Sequence, residues 1–149
     1  MSAQSGGIPA ERVQGRDAAW IAYILHAIGY LTMMMWPALI GLIVNYVKRG
    51  DAKGSIVESH HRWMIRTFWY GSLWQTVSLV VLLWSAWPIL SVVLQQVSTS
   101  GDALITWNTI LAVLGAATLG VAGLIVTWFW LLYRVIRGAI HLVNLESVP

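Results

Sequence analysis

Three long apolar runs, residues 20–47, 67–94 and 104–132, constrain this chain more than any other feature. None of the three contains Asp, Glu, Lys or Arg. A helix of about 20 apolar residues is enough to cross a hydrocarbon core about 30 Å thick. With 58% hydrophobic and 10% charged residues, the chain also has too few polar side chains to cover a soluble globule. The runs predict an all-α, polytopic membrane protein with three transmembrane helices.

The same runs predict the domain organisation. Residues 1–17 are polar and rich in Gly, Ser and Ala, with neither the basic start nor the apolar core of a signal peptide. We therefore expect a polar N-terminal tail over 1–17, a single helical transmembrane domain over 18–145 and a short C-terminal end over 146–149.

Basic residues flank the apolar runs unequally. Of the nine Lys and Arg, seven lie between the first two runs or after the third: Lys48, Arg49, Lys53, Arg62, Arg66, Arg134 and Arg137. By the positive-inside rule, the loop 48–66 and the C-terminus share the cytoplasmic side. The loop 95–103 carries only Asp102 and is expected outside, together with the N-terminus.

Pro37 lies near the middle of the first run. Its missing N–H and its ring favour a kink around residues 33–36 of a single tilted crossing. The alternative is a re-entrant hairpin that turns near Pro37 and brings the N-terminus to the cytoplasmic side. Each arm of such a hairpin is short for a full crossing.

Charged and aromatic residues follow helical spacing at the cytoplasmic ends. Glu58, Arg62 and Arg66 recur every fourth residue, and Trp63 lies on another face, which is typical of an amphipathic segment in the headgroup layer. Contact with anionic lipids and a solvated helix start are both compatible with this stripe. The expected lipid or interface contacts are Arg62, Arg66, Arg134, Arg137, Trp63 and Trp69.

The third run is predicted to continue beyond the bilayer. Arg134, Arg137 and His141 recur at helical spacing among apolar residues, and Gly138 offers a point at which the helix can bend. We expect a C-terminal interfacial helix along the inner surface.

Aromatic residues are expected to mark the two membrane surfaces. The outer group comprises Trp20, Trp84, Trp87 and Trp107, and the inner group comprises Tyr46, Trp63, Trp69, Trp128, Trp130 and Tyr133.

Small residues recur every fourth position in the third run, at Ala112, Ala116 and Gly120. Small side chains let another helix backbone approach closely, which is how membrane helices commonly pack. We expect this face to pack against another helix of the same chain, with a second protein chain as the alternative.

Three stretches together resemble a family of small bacterial inner-membrane proteins of unknown function, which is distantly related to a component of the chloroplast inner-envelope import machinery. The stretches are His26 to Gly29 with Asn45 to Arg49, Glu58 to Trp63 with Arg66 to Trp69, and Tyr133 to Gly138. The similarity runs from about residue 21 to 145. It implies a helical inner-membrane protein and brings no activity or site with it.

His26 is the clear ionisable residue within the runs, and such residues are functional candidates by default. With Ala22 four positions earlier, it has the spacing at which an imidazole can hold a tetrapyrrole beside a small residue. A neutral imidazole hydrogen-bonded within the helical bundle is the simpler interpretation. His60, His61, Glu58 and His141 are a second candidate set, for a metal, but adjacent histidines point in different directions on a helix.

The chain has no Cys, and its runs have no carboxylate. We therefore predict no catalytic residues, no metal site and no nucleic-acid partner, and no cofactor beyond the tetrapyrrole alternative at His26. The first functional hypothesis is a non-enzymatic accessory or assembly subunit that binds other integral membrane proteins. The alternatives are a transport or channel component acting as a homo-oligomer and a haem- or chlorophyll-type pigment-binding subunit.

Overall fold

The computed structural model describes residues 15–98 and 106–149, and within these ranges the chain is helical without strands. The helices are α1 (Arg16–Leu31), α2 (Met35–Lys48), α3 (Ile56–Ser85), α4 (Trp87–Ser98) and α5 (Trp107–Val143). The predicted all-α class is confirmed. Most of the N-terminal tail, most of the loop 95–103 and the start of the third predicted span at 104 lie outside the described residues.

Two stretches of the described chain are long and apolar enough to cross a membrane, Ile56–Leu94 and Trp107–Val143. Only 11% and 6% of their most apolar windows are buried within the protein. A core helix of a soluble protein is mostly buried, so these exposed apolar surfaces are consistent with contact to lipid. The second and third predicted spans correspond to these stretches, and the first does not appear as one long helix.

The chain reverses direction between α1 and α2. Helix α1 ends at Leu31, and Met33 adopts a left-handed backbone with φ of 56°. A Cβ built on Gly29 would lie 2.9 Å from the Ala38 backbone N, and one on Gly41 would lie 2.5 Å from His26 Nδ1. These contacts pair the two helices antiparallel. The first apolar run therefore forms a hairpin of two helices, as in the alternative, and not the single kinked helix that was predicted.

Pro37 does not make the turn itself. It occupies the third position of α2, within the first helical turn, where a backbone N–H has no partner in the helix. Proline is tolerated there, so the reversal falls at residues 32–34, just before the helix that Pro37 helps to begin.

The hairpin brings the start of α1 back to the loop that follows α2. A Cβ on Gly15 would lie 3.6 Å from the Ala52 Cβ and 3.9 Å from Val57. The start of α1 therefore lies beside the loop 48–66, whereas the predicted topology separates the two across the membrane. Trp20, in the first turns of α1, therefore also lies at the end of the hairpin near the loop 48–66.

The described chain forms two compact units. The first comprises the chain up to Tyr70 together with Trp130–Pro149, and the second is Gly71–Phe129. Residues of the predicted 18–145 domain are present in both units. Helices α3 and α5 each contribute one end to each unit.

In the second unit, α5 packs closely on α3. A Cβ on Gly120 would lie 2.9 Å from the backbone N of Leu82, and one on Gly123 would meet the Ser78 hydroxyl. The predicted packing face therefore meets α3 at Gly120. Ala116 is half-buried, whereas Ala112 is exposed.

The second predicted span is divided into two helices. Helix α3 ends at Ser85, Ala86 forms a turn, and α4 begins at Trp87. Pro88 lacks the N–H that would continue the hydrogen-bond ladder. This explains the interruption near residue 86.

Helix α5 continues without interruption through Gly138. The predicted continuation beyond residue 132 is present as the last turns of a 37-residue helix about 55 Å long, and α5 is not divided at Gly138 into a separate interfacial helix. Gly138 instead allows close approach, since a Cβ there would overlap the Tyr23 hydroxyl.

The C-terminal tail folds back after α5. Leu145 has φ of 57°, and the Glu146 N–H donates to the His141 carbonyl at 2.9 Å, as in a Schellman motif. Further on, the Val148 N–H donates to the Ser59 Oγ at 3.0 Å. The tail therefore lies against the first turns of α3.

We predict that Gly41→Ala destabilises the first unit, because the new methyl group would overlap the buried His26 ring. Overpacking of this kind costs about 1–3 kcal/mol. Thermal or denaturant unfolding in detergent would measure the change. Gly50→Ala is the matched control, since a Cβ on Gly50 meets nothing within 4 Å. Equal midpoints for the two variants would contradict the close helix packing.

Candidate functional site

Polar side chains gather in the interior of the first unit. His26, His60, His61 and Asn45 are each 0% exposed. They come from α1, α2 and α3, so the hairpin and the start of α3 enclose them together. Because a buried polar group without a hydrogen bond is costly, the partners of these side chains indicate what the core requires.

His60 links three parts of the chain. Its Nε2 lies 2.9 Å from the Glu146 carbonyl oxygen, which can only accept, so Nε2 carries the proton. In the neutral ring Nδ1 is then an acceptor, and the Tyr23 hydroxyl donates to it at 3.0 Å. This chain of bonds joins α1 and α3 to the C-terminal tail.

His61 makes a separate pair with α2. Its Nδ1 lies 2.7 Å from the Asn45 Oδ1, so the imidazole donates to the amide oxygen. The His61 Nε2 and the Asn45 Nδ2 are buried without a hydrogen-bond partner among the described residues. The pair therefore retains one acceptor and one donor in the interior.

His26 is held by its own helix. Its Nδ1 donates to the Ala22 carbonyl oxygen at 2.8 Å, and its Nε2 is buried without a partner among the described residues. The rings of Tyr30 and Phe68 lie edge-on to the imidazole, with centroids 5.8 Å and 6.3 Å away. The backbone of Gly41 covers another side.

A tetrapyrrole does not fit at His26 in this arrangement. Axial ligation would require open space over the unpaired Nε2, but the whole side chain is 0% exposed and Ala22 is equally buried. Ala22 therefore leaves no open space for a macrocycle beside the imidazole. Insertion of one would require α2 or Phe68 to move away.

The two adjacent histidines bond in different directions, as expected for neighbours on a helix. His60 meets Tyr23 and the tail, whereas His61 meets Asn45. Over residues 15–98 and 106–149, no three His, Asp or Glu side chains are grouped closely enough to hold a metal ion. His141 instead lies 2.9 Å from the Glu146 carboxylate.

A second polar group, at the junction of α3 and α5 in the first unit, is built around Arg134. Its guanidinium carbon lies 3.6 Å from the centroid of Trp63 and 5.0 Å from that of Trp130. Its Nε donates to Thr67 Oγ1 at 2.8 Å. Arg137 lies one turn further along α5, and Arg66 precedes Thr67 on α3. We name Arg66, Arg134 and Arg137 the arginine cluster.

The predicted interface residues have different environments. Arg62 donates to the Glu58 carboxylate at 3.0 Å, so the first two residues of the predicted charged stripe form an ion pair. Trp63 is buried, whereas Trp69 is exposed and donates to the Tyr46 hydroxyl at 3.1 Å. The six predicted residues are thus divided between the arginine cluster, an ion pair and two tryptophans in different surroundings.

Sequence reasoning missed Tyr23, Asn45 and Thr67. Each is an uncharged polar residue that reads as ordinary helix content on its own. Only helical spacing could have pointed to two of them, since Thr67 lies one turn after Trp63 and Asn45 lies one turn after Gly41. The spacing alone does not show which residues of other helices these side chains contact.

A scan against protein-family models, a search of curated proteins and a search of solved structures each found no match to this chain. The resemblance drawn from the sequence stretches therefore stays a prediction.

We predict that Tyr23→Phe lowers the free energy of unfolding by about 1–3 kcal/mol, because it leaves the buried His60 Nδ1 without a donor. Denaturant unfolding in detergent measures the cost. Tyr70→Phe is the control, since Tyr70 is exposed. If both variants unfold alike, the Tyr23 to His60 bond does not stabilise the core.

Proposed function

We propose that this protein is a non-enzymatic accessory or assembly subunit of a larger membrane protein complex. It acts by binding other integral membrane proteins within the bilayer. The proposed location is the bacterial cytoplasmic membrane.

One observation supports the proposal above the others: the ionisable side chains of the core are bonded to the fold, and the outward surface is apolar. His60 and His61 each bond to another helix, and His60 also bonds to the C-terminal tail. Large apolar residues along α3 and α5 are exposed, among them Leu83 at 64% and Leu119 at 71%. Such surfaces suit contact with lipid and with neighbouring apolar helices.

Helix α5 offers a further reason to expect a partner chain. Helix α3 packs against Gly120 and Gly123, but a Cβ on Gly115 would meet no described residue within 4 Å. Exposed Leu111 and Leu114 adjoin it. A neighbouring helix could approach here as closely as α3 does at Gly120.

The charge distribution supports one orientation. Residues 71–129, which form the second unit, contain no Lys or Arg, and all nine basic residues lie in 12–66 and 134–137. The hairpin returns the start of α1 to the loop 48–66. We propose that α1 and α2 form a re-entrant hairpin, because arms of 16 and 14 residues reach only about 24 and 21 Å. The start of α1, the loop and the C-terminus then share the cytoplasmic side.

The assembly role predicts stoichiometric co-purification with other membrane proteins after gentle solubilisation of native membranes. Mass spectrometry of the intact complex would identify the neighbours. Gly115→Trp should reduce recovery of the complex, because the bulky ring blocks close helix approach. Gly50→Trp, in the loop, should leave recovery unchanged. Isolation of the protein alone, with no neighbour captured by crosslinking, would contradict the role.

The orientation predicts that single cysteines replacing Asp17, Asp51 and Ser147 react with a membrane-impermeant maleimide from the same side. The chain has no native Cys, so each variant carries one label site. Sealed inverted vesicles should be labelled at all three positions, and intact cells at none. Labelling of Asp17→Cys from the opposite side to Asp51→Cys would rule out the hairpin topology.

A further inference from the structure

The arginine cluster lacks counter-charge within the described chain. The ion pairs there involve Lys48, Arg62 and His141, and none involves Arg66, Arg134 or Arg137. Arg137 lies one turn after Arg134 on α5, and Arg66 precedes Thr67, to which Arg134 donates, so each places a like charge near Arg134. Holding three like charges together is unfavourable unless an anion or water screens them.

The side chain of Arg134 is held in place by Trp63 and Thr67. Trp63 stacks on its guanidinium, and the indole Nε1 of the same residue donates to the Arg134 carbonyl oxygen at 3.2 Å. Thr67 accepts from Nε and donates its own hydroxyl proton to the Trp63 carbonyl at 2.8 Å. These contacts use Nε and the ring face, so the two Nη groups keep their donors for a ligand. A fixed planar fork of this kind matches the oxygens of a phosphate.

An apolar groove adjoins the cluster on α5. It has a volume of about 330 Å³ and is lined by Tyr133, Ile136, Arg137, Ile140 and His141. Arg137 forms part of both the cluster and the groove, and its Nη1 donates to the Tyr133 hydroxyl at 3.1 Å. A phosphate site beside an apolar surface fits a phospholipid, which has both a phosphate and acyl chains. A free phosphate would make no favourable contact with the isoleucines.

We infer that the arginine cluster binds the phosphate of an anionic phospholipid, with Arg134 as the oriented donor and Arg66 and Arg137 as the flanking charges. The lipid's glycerol and upper acyl chain lie along Ile136 and Ile140. This inference goes beyond the assembly role. It needs the protein to be in a bilayer and needs no partner protein, so each can fail without the other.

The test measures retention of phosphatidylglycerol against phosphatidylcholine by the purified protein in nanodiscs of mixed composition, followed by native mass spectrometry. The wild type should prefer phosphatidylglycerol. Arg134→Gln should weaken that preference about fivefold, the effect of one basic residue near an anionic lipid surface. Arg134→Lys should weaken it less than Arg134→Gln, because lysine keeps the charge but loses the fork.

Arg62→Gln is the matched control. Arg62 lies on the same helix as Arg66 but is paired with Glu58, so its removal should leave lipid preference within twofold of the wild type. Arg137→Gln covers the case in which the Arg134 variants fail to fold, because Arg137 is exposed and its side chain bonds only to Tyr133 among the described residues. It should also weaken the preference for phosphatidylglycerol about fivefold.

Three results would overturn the inference. Equal retention of the two lipids by the wild type would show that the cluster does not select anionic headgroups. Equal losses for Arg62→Gln and Arg137→Gln would show that net charge matters and the cluster does not. Displacement of phosphatidylglycerol by millimolar inorganic phosphate would identify a soluble phosphate as the ligand.

Discussion

The close approach of α1 and α2 is the constraint on which the rest of the first unit depends. Gly29 and Gly41 have no side chains, so the two backbones meet at Ala38 and at the His26 ring. That contact reverses the chain within residues 32–34 and returns the start of α1 to the loop at Ala52. It also encloses the imidazole of His26, since the ring lies where larger side chains on α2 would otherwise stand.

Polar bonds then join the helices of this unit beside a hydrophobic core that includes Met64, Phe68 and Leu131. The bonds from Tyr23 to His60 and from His61 to Asn45 each join two helices. His60 also holds the C-terminal tail through the Glu146 carbonyl. The same residue types that suggest chemistry in a sequence here connect the elements of the fold.

Parts of the candidate site were accessible to sequence reasoning. The predicted interface residues include Arg134, Trp63, Arg66 and Arg137, because basic and aromatic residues recur at helical spacing near the ends of the apolar runs. The contacts that distinguish these residues were not accessible. Spacing within α3 could pair Arg62 with Glu58, but stacking of Arg134 on Trp63 joins residues 71 positions apart. The sequence suggests His26 as a ligand because of its position within an apolar run, which does not show what covers its ring.

The sequence by itself determined the helical class, the two long apolar stretches and the segregation of basic residues outside 71–129, because these depend on local composition and period. It also predicted the small-residue contact of α5, which needs only one face of one helix. Tertiary structure decided the direction of the chain after α1, the position of the start of α1 beside the loop 48–66, and the burial of the histidines. A proline and a short apolar run permit either a kink or a reversal. The fit of Gly29 against Ala38 and of Gly41 against His26 favours the reversal, and no local pattern specifies a contact between two helices.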